Sequence, residues 1–177
     1  IVNTAPPALP ASPTIPALTY SVAVYGAVPN DGVDDRVAIQ AAVNAIIAAG
    51  GGTLEFPAGT YNLSINPSSG TYKYAIELGT GKIRLAPQSD AIVTIKLNDN
   101  QGAYYCIFNA QNTVNVSIEK LKFDQNGMNN QIALSEISYD GGAVVETSVR
   151  QIFAFSGATR FMVDQCTFDN VLGVWVI

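Results

Sequence analysis

YGAVPNDGVDDRVAIQAAVNAIIAAGGGTLEFPAGTY, running from Tyr25 to Tyr61, places a turn, one helix, three glycines and a strand in that order. Within it, Ile39, Val43, Ile46 and Ile47 fall at i, i+4, i+7 and i+8, one face of a 3.6-residue period. Arg36, Gln40 and Asn44 repeat on another face. Asp34 or Asp35 can accept backbone N–H bonds as N-cap and meets the positive end of the helix dipole. Gly50, Gly51 and Gly52 supply the positive φ that ends a helix and reverses the chain. The spacing predicts a helix over about 34–49. The acidic turn before it lacks the spaced ligands and distal glutamate of a calcium loop. No metal site or cofactor is therefore expected, with calcium at this turn as the alternative.

After the glycines the period changes to two. Leu54 and Phe56 share one side, Pro57-Ala58-Gly59 turns, and Tyr61, Leu63 and Ile65 face inward. Short strands follow, separated by Gly, Asn, Asp and Ser: YAIEL, KIRLA, IVTIKL, YYCIF, VNVSIEKLKF, QIFAF, FMVDQCTF and GVWVI. No second amphipathic helix interrupts them, which leaves a sandwich, a barrel or a β-solenoid. An internal echo favours the solenoid. IFNAQNTVNVSIEKLKFD from Ile107 and IFAFSGATRFMVDQCTFD from Ile152 align at an offset of 45 residues. Phe108 then matches Phe153, Val116 matches Phe161, Ile118 matches Val163, Leu121 matches Cys166, Phe123 matches Phe168 and Asp124 matches Asp169. Self-similarity of this kind marks stacked repeats. The offset fits two rungs of roughly 22 residues or one rung carrying an excursion over 126–151. A stack of rungs has an open apolar end, and an amphipathic helix laid across the first rung would cover it.

Composition narrows the function classes. The chain has 177 residues, 48% of them apolar and only 13% charged, so it can bury a large core. A net charge of -5 without a basic cluster argues against nucleic acid or an anionic membrane surface. No apolar run is long enough for membrane insertion. Histidine is absent, which excludes from these residues a Ser-His-Asp triad, an H-E-x-x-H zinc site and a histidine base. Cys106 and Cys166 make no metal signature; they are two small buried hydrophobes or, alternatively, a disulfide. Residues 1–20 read as a Pro/Ala-rich linker, extended because proline fixes φ and lacks an N–H.

The opening stretch resembles the N-terminal segment of pectate-lyase-like (pectin-lyase-like) parallel β-helix proteins. Tyr25-Gly26-Ala27, Asp31-Gly32, Asp34-Asp35, Gly50-Gly51-Gly52 and Pro57-Ala58-Gly59-Thr60-Tyr61 carry the likeness. It implies an all-β fold: a right-handed, single-stranded parallel β-helix with an N-terminal capping helix. Residues 21–177 would be the N-terminal part of that domain, with rungs from 53 onward and a continuation beyond 177. The resemblance also implies carbohydrate work on an extracellular or cell-surface polysaccharide. The leading expectation is a tailspike-like lyase or glycoside hydrolase, a homotrimer outside the cell or on a virion surface. A secreted pectinase- or uronan-epimerase-like enzyme is one alternative, and a non-catalytic adhesive or structural spike is another. Catalytic residues of such proteins lie on central rungs, so they are expected beyond residue 177.

Within the chain, Asp124 and Asp169 occupy equivalent strand ends. Two nearby carboxylates can act as acid and nucleophile or base on a glycosidic bond. The competing reading is an Asx turn at each corner. Asp140 and Glu146 flank GGAVV within the excursion, where a solenoid tends to carry binding groups, or they sit on an ordinary solvated loop. Tyr104, Tyr105, Tyr139 and Trp175 can stack on sugar rings or serve as core and subunit contacts.

Overall fold

The structure, a computed structural model, describes residues 11–69, 73–102, 105–112, 115–130, 137–140, 143–146 and 150–171. The helix α1 spans Arg36–Ala48 and buries Ile39, Ala42, Val43 and Ile46, with Ile47 half-buried at its end. Around it the chain is strand: β1 (Thr19–Ser21), β2 (Gly52–Phe56), β3 (Gly59–Leu63), β4 (Lys73–Glu77), β5 (Lys82–Pro87), β6 (Val93–Leu97) and β7 (Tyr105–Gln111). There follow β8 (Asn115–Glu119), β9 (Lys122–Asp124), β10 (Ile137–Asp140), β11 (Ala143–Glu146), β12 (Arg150–Ser156), β13 (Phe161–Asp164) and β14 (Thr167–Asp169). β1 thus begins inside the segment whose composition reads as linker.

Three parallel sheets form. The first runs β1-β2-β5-β8-β13, the second β3-β6-β9-β14 and the third β4-β7-β12. Each rung visits the sheets in turn, so the fold is a parallel β-solenoid. The 45-residue echo is one rung with an excursion, because Phe108 pairs with Phe153, Val116 with Phe161, Ile118 with Val163 and Phe123 with Phe168. The excursion holds the antiparallel hairpin β10–β11.

In-register pairing stacks like on like inside. Leu54, Leu85, Ile118 and Val163 form one ladder, and Tyr61, Ile95, Phe123 and Phe168 another. Phe123 meets Phe108 edge-on at 5.9 Å, Phe153 edge-on at 5.0 Å and Phe168 stacked at 5.7 Å between ring centroids. The lower ladder members are fully buried, whereas Phe161, Val163 and Phe168 remain 48%, 37% and 43% exposed on the last described rung.

The three glycines do different jobs. The N–H of Gly50 donates to the Ile47 carbonyl at 3.0 Å and that of Gly51 to the Ile46 carbonyl at 2.9 Å, closing the helix C-terminus. A Cβ on Gly51 would collide with the Lys82 carbonyl, and one on Gly52 would lie 2.6 Å from the Leu18 carbonyl. Helix termination needs the first glycine. Close backbone approach between β1, β2 and β5 needs the other two.

At the first rung the open strand edges are covered by three different devices. β1 pairs with β2. On β3, Asn30 Oδ1 accepts from the Thr60 N–H at 2.9 Å, Asp35 Oδ2 from the Asn62 N–H at 3.1 Å and Asp34 Oδ1 from the Ser64 N–H at 3.0 Å. On β4, the Gln40 amide bonds both backbone groups of Glu77. The acidic turn is therefore mostly a strand-edge mimic. Asp34 also accepts from the Arg36 N–H, while Asp35, at the N-cap position, turns its carboxylate to Val28 and Asn62 instead.

Candidate functional site

The outward positions of the second sheet bring sequence-distant polar groups into two rows. Asn62, Lys96, Asp124 and Asp169 form one row, and Thr60, Thr94, Lys122 and Thr167 the other. Period-two alternation sends Tyr61, Ile95, Phe123 and Phe168 inward, so their neighbours must point out. Strand spacing sets successive members of each row about 4.8 Å apart. The result is a flat face of hydroxyl, amide, ammonium and carboxylate groups at regular intervals.

Both predicted carboxylates sit on this face, as register partners on β9 and β14. Asp124 Oδ1 accepts from the Asn126 N–H at 2.8 Å, an Asx turn, and from Asn170 Nδ2 at 2.9 Å. Asp169 Oδ2 lies 2.6 Å from Lys122 Nζ, and this hydrogen bond pushes the Lys122 pKa up. Each carboxylate is thus engaged by neighbouring groups of the chain. Among the described residues no group of three His, Cys, Asp or Glu side chains could hold a metal ion.

The excursion leaves from a corner of buried amides that the sequence reading missed. Gln125, Asn126 and Asn130 are all buried. Asn126 Nδ2 donates to the Leu97 carbonyl at 3.0 Å and to Asp99 Oδ1 at 2.7 Å, and Asn130 Nδ2 donates to the Asn98 carbonyl at 2.9 Å. Gln101 Oε1 accepts from the Ile65 N–H at 2.7 Å, extending the network to the first rung. Its signal in the sequence is the recurrence of Asn-rich corners, NDNQ from Asn98 and QNGMNN from Gln125.

Tyr105 departs from the sugar-stacking expectation. It is 2% exposed and belongs to the buried core cluster. Burial pushes its phenol up to about 12, opposed by Arg150, its register partner on β12, and by Gln125. Asp140 pairs with Ala143 at the turn of the hairpin, Tyr139 with Val144, and Glu146 with Ile137 at the far end. Asp140 and Glu146 thus occupy opposite ends of β10–β11. Tyr104 and Trp175 lie outside the described residues. Cys106 and Cys166 are both free thiols, so the disulfide alternative is set aside.

Comparison with known proteins gives this geometry a family. Residues 19–170 match the family model described as rhamnogalacturonase A/epimerase, pectate lyase-like. The chain is 39% identical over 87 residues to the mannuronan C5-epimerase AlgE4 of Azotobacter vinelandii, covering 44% of this chain and 16% of that protein. It is 54% identical over 56 residues to AlgE6 of the same organism, covering 30% of this chain and 6% of that protein. Among solved structures, the AlgE6 A-module superposes with a TM-score of 0.56 at 24% identity, covering 81% of this chain and 37% of that one. PfbA, a surface adhesin of Streptococcus pneumoniae, superposes at 0.54 with 22% identity, covering 85% and 33%. At such identities these superpositions speak to fold. The chain spans well under half the length of each of these proteins. A parallel β-solenoid matched from β1 to the end of β14 places the chain in the rhamnogalacturonase A/epimerase, pectate lyase-like family.

Proposed function

We propose that this chain forms the opening rungs of an extracellular enzyme that modifies a uronate-containing polysaccharide. The observation that carries the reading is the outward face of the second sheet, whose polar rows repeat once per rung and suit successive sugars of a linear chain. Family membership and the likeness to mannuronan C5-epimerases support the substrate class. In this reading α1 and the acidic turn are the cap, since they occupy the first strand edges. The coil is right-handed, the hand that parallel β-crossovers take almost without exception. Further rungs stack on Phe161, Val163 and Phe168, the exposed ends of the core ladders.

Epimerisation at C5 and β-elimination begin alike, with removal of the proton α to the uronate carboxylate. That step needs a base and a group to neutralise the developing charge. In this reading that constellation belongs to later rungs of the full-length protein. Asp124 and Asp169 act here as binding groups for sugar hydroxyls.

Incubating the full-length protein with polymannuronate separates the chemistries. Guluronate signals in the proton NMR spectrum establish epimerisation, and ultraviolet absorbance from an unsaturated end establishes a lyase. New reducing ends without unsaturation establish a hydrolase. Binding with none of these products would replace the enzyme reading by an adhesive spike. Native mass distinguishes a trimeric, tailspike-like appendage from a free monomeric enzyme.

A further inference from the structure

The corner between the first and second sheets is not built evenly. In the third and fourth rungs it takes two residues, Lys120-Leu121 and Gln165-Cys166, between strands. In the second rung it takes five, from Gln88 to Ile92. Ser89, Lys120 and Gln165 each adopt left-handed φ, of 56°, 54° and 52°, so each corner contains one left-handed residue. Residues of the longer second-rung corner and of the two shorter corners line a recess of about 360 Å³.

Its lining is mixed in a way that core packing does not require. Leu121 and Val93, both buried, belong to the apolar part of the lining. Ile92, 81% exposed, adds an apolar wall. Gln165 and Thr167 supply an amide and a hydroxyl, and Lys120 and Lys122 supply two ammonium groups. The two cations are held differently. Lys122 is tied to Asp169 at 2.6 Å, whereas Lys120 stands 3.5 Å from Asp90, whose side chain is 95% exposed. An ion pair so open to water is worth little, so a ligand anion can take the place of Asp90.

We propose that this recess is a second carbohydrate-binding site, taking one carboxylated sugar unit of a polysaccharide. The sugar carboxylate pairs with Lys120 in place of Asp90. Its hydroxyls meet Gln165 and Thr167, and its apolar face lies on Ile92. The site is on the opposite side of the second sheet from the corner where the excursion leaves. Lys122 and Thr167 belong both to this recess and to an outward row of the second sheet, so a sugar held here adjoins a chain lying along that face. The inference rests on the polysaccharide reading above for the identity of the ligand.

The test uses the full-length protein and a short oligomannuronate, with a neutral mannan oligosaccharide of equal length as control, followed by calorimetry and by chemical-shift changes at Ile92 and Gln165. The expected result is binding of the acidic oligosaccharide with shifts at these residues, weakened about tenfold or more by Lys120→Ala. Asp90→Ala should tighten it, and Ile92→Ser should weaken it. All three positions are solvent-exposed, so the variants should fold; circular dichroism checks this. Unchanged affinity in Lys120→Ala and Ile92→Ser, or equal binding of the neutral control, overturns the corner site. Polymannuronate turnover by those same variants reports separately on the enzyme reading. Turnover without corner shifts sinks this inference alone, and corner shifts without turnover sink only the enzyme reading.

Discussion

The side-chain amide of Gln40 on α1 bonds both backbone groups of Glu77 on β4: Nε2 donates to the Glu77 carbonyl at 2.9 Å and Oε1 accepts from the Glu77 N–H at 2.8 Å. A primary amide has the donor–acceptor pattern of a peptide group, so Gln40 stands in for one residue of a missing strand. β4 is the edge of the third sheet, and an unpaired edge is a template for another chain.

Gln40→Met keeps the length and removes both bonds. It should cost about 1–2 kcal/mol in urea unfolding, and it should increase self-association measured by light scattering. Gln40→Glu should be worse than Met, because it aims a carboxylate oxygen at the Glu77 carbonyl.

Two carboxylates give opposite contributions to stability against pH. Burial raises the Asp35 pKa above its ordinary value of 3.8, with Asp31 and Asp34 adding to the rise and the Val28 and Asn62 N–H groups opposing it. The folded state then binds the proton more tightly than the unfolded state, so this contribution falls as pH rises from 3.8 through the folded value. Glu119 behaves conversely. Its hydrogen bond from Arg84 at 2.6 Å lowers its pKa below the ordinary 4.5, so its contribution is present above 4.5 and lost as pH falls through the folded value. Urea titrations across the carboxylate range should show the acid-side loss of stability reduced in Glu119→Gln. The cost of that change near neutrality should be below about 1 kcal/mol, because Arg84 is partly solvated and screened.

Phe123 touches three other phenylalanine rings in the core. Phe123→Ala should cost about 3–5 kcal/mol in urea unfolding. Phe168→Ala, at the exposed end of the same ladder, should cost clearly less, since part of its surface is already in water. Equal losses would mean that the end of the ladder is covered in solution.

Burial pushes the Cys106 thiol up to about 12, and Cys166 is also raised, mainly by burial. Thiolate is the reactive form, so native protein at mildly alkaline pH should resist iodoacetamide at Cys106 and label it fully in denaturant. Peptide mass spectrometry reads both sites, and early labelling of Cys106 would contradict its place in the core.

Helix α1, the period-two strands and the rung echo were legible because each is a local pattern: i, i+4 apolar spacing, alternation, and an offset that proved to be the strand register residue by residue. The candidate site was legible in part. Asp124 and Asp169 were placed as equivalents, but their partners Asn126, Asn170 and Lys122 were not. Tyr105 carried no local mark of burial, since an aromatic beside polar residues reads the same on a surface or in a core.

Sequence alone settled that the chain coils, where its helix lies and that a histidine mechanism is absent from these residues, since residue identity and periodicity act over a few neighbours. Only the tertiary structure decided that 45 residues make one rung, that Asn30, Asp34, Asp35 and Gln40 close three strand edges together with β1, and that unequal corners line a recess beside Lys120. Those outcomes depend on which strands meet, and the groups concerned lie about 30 or more residues apart in sequence, beyond the reach of any local pattern.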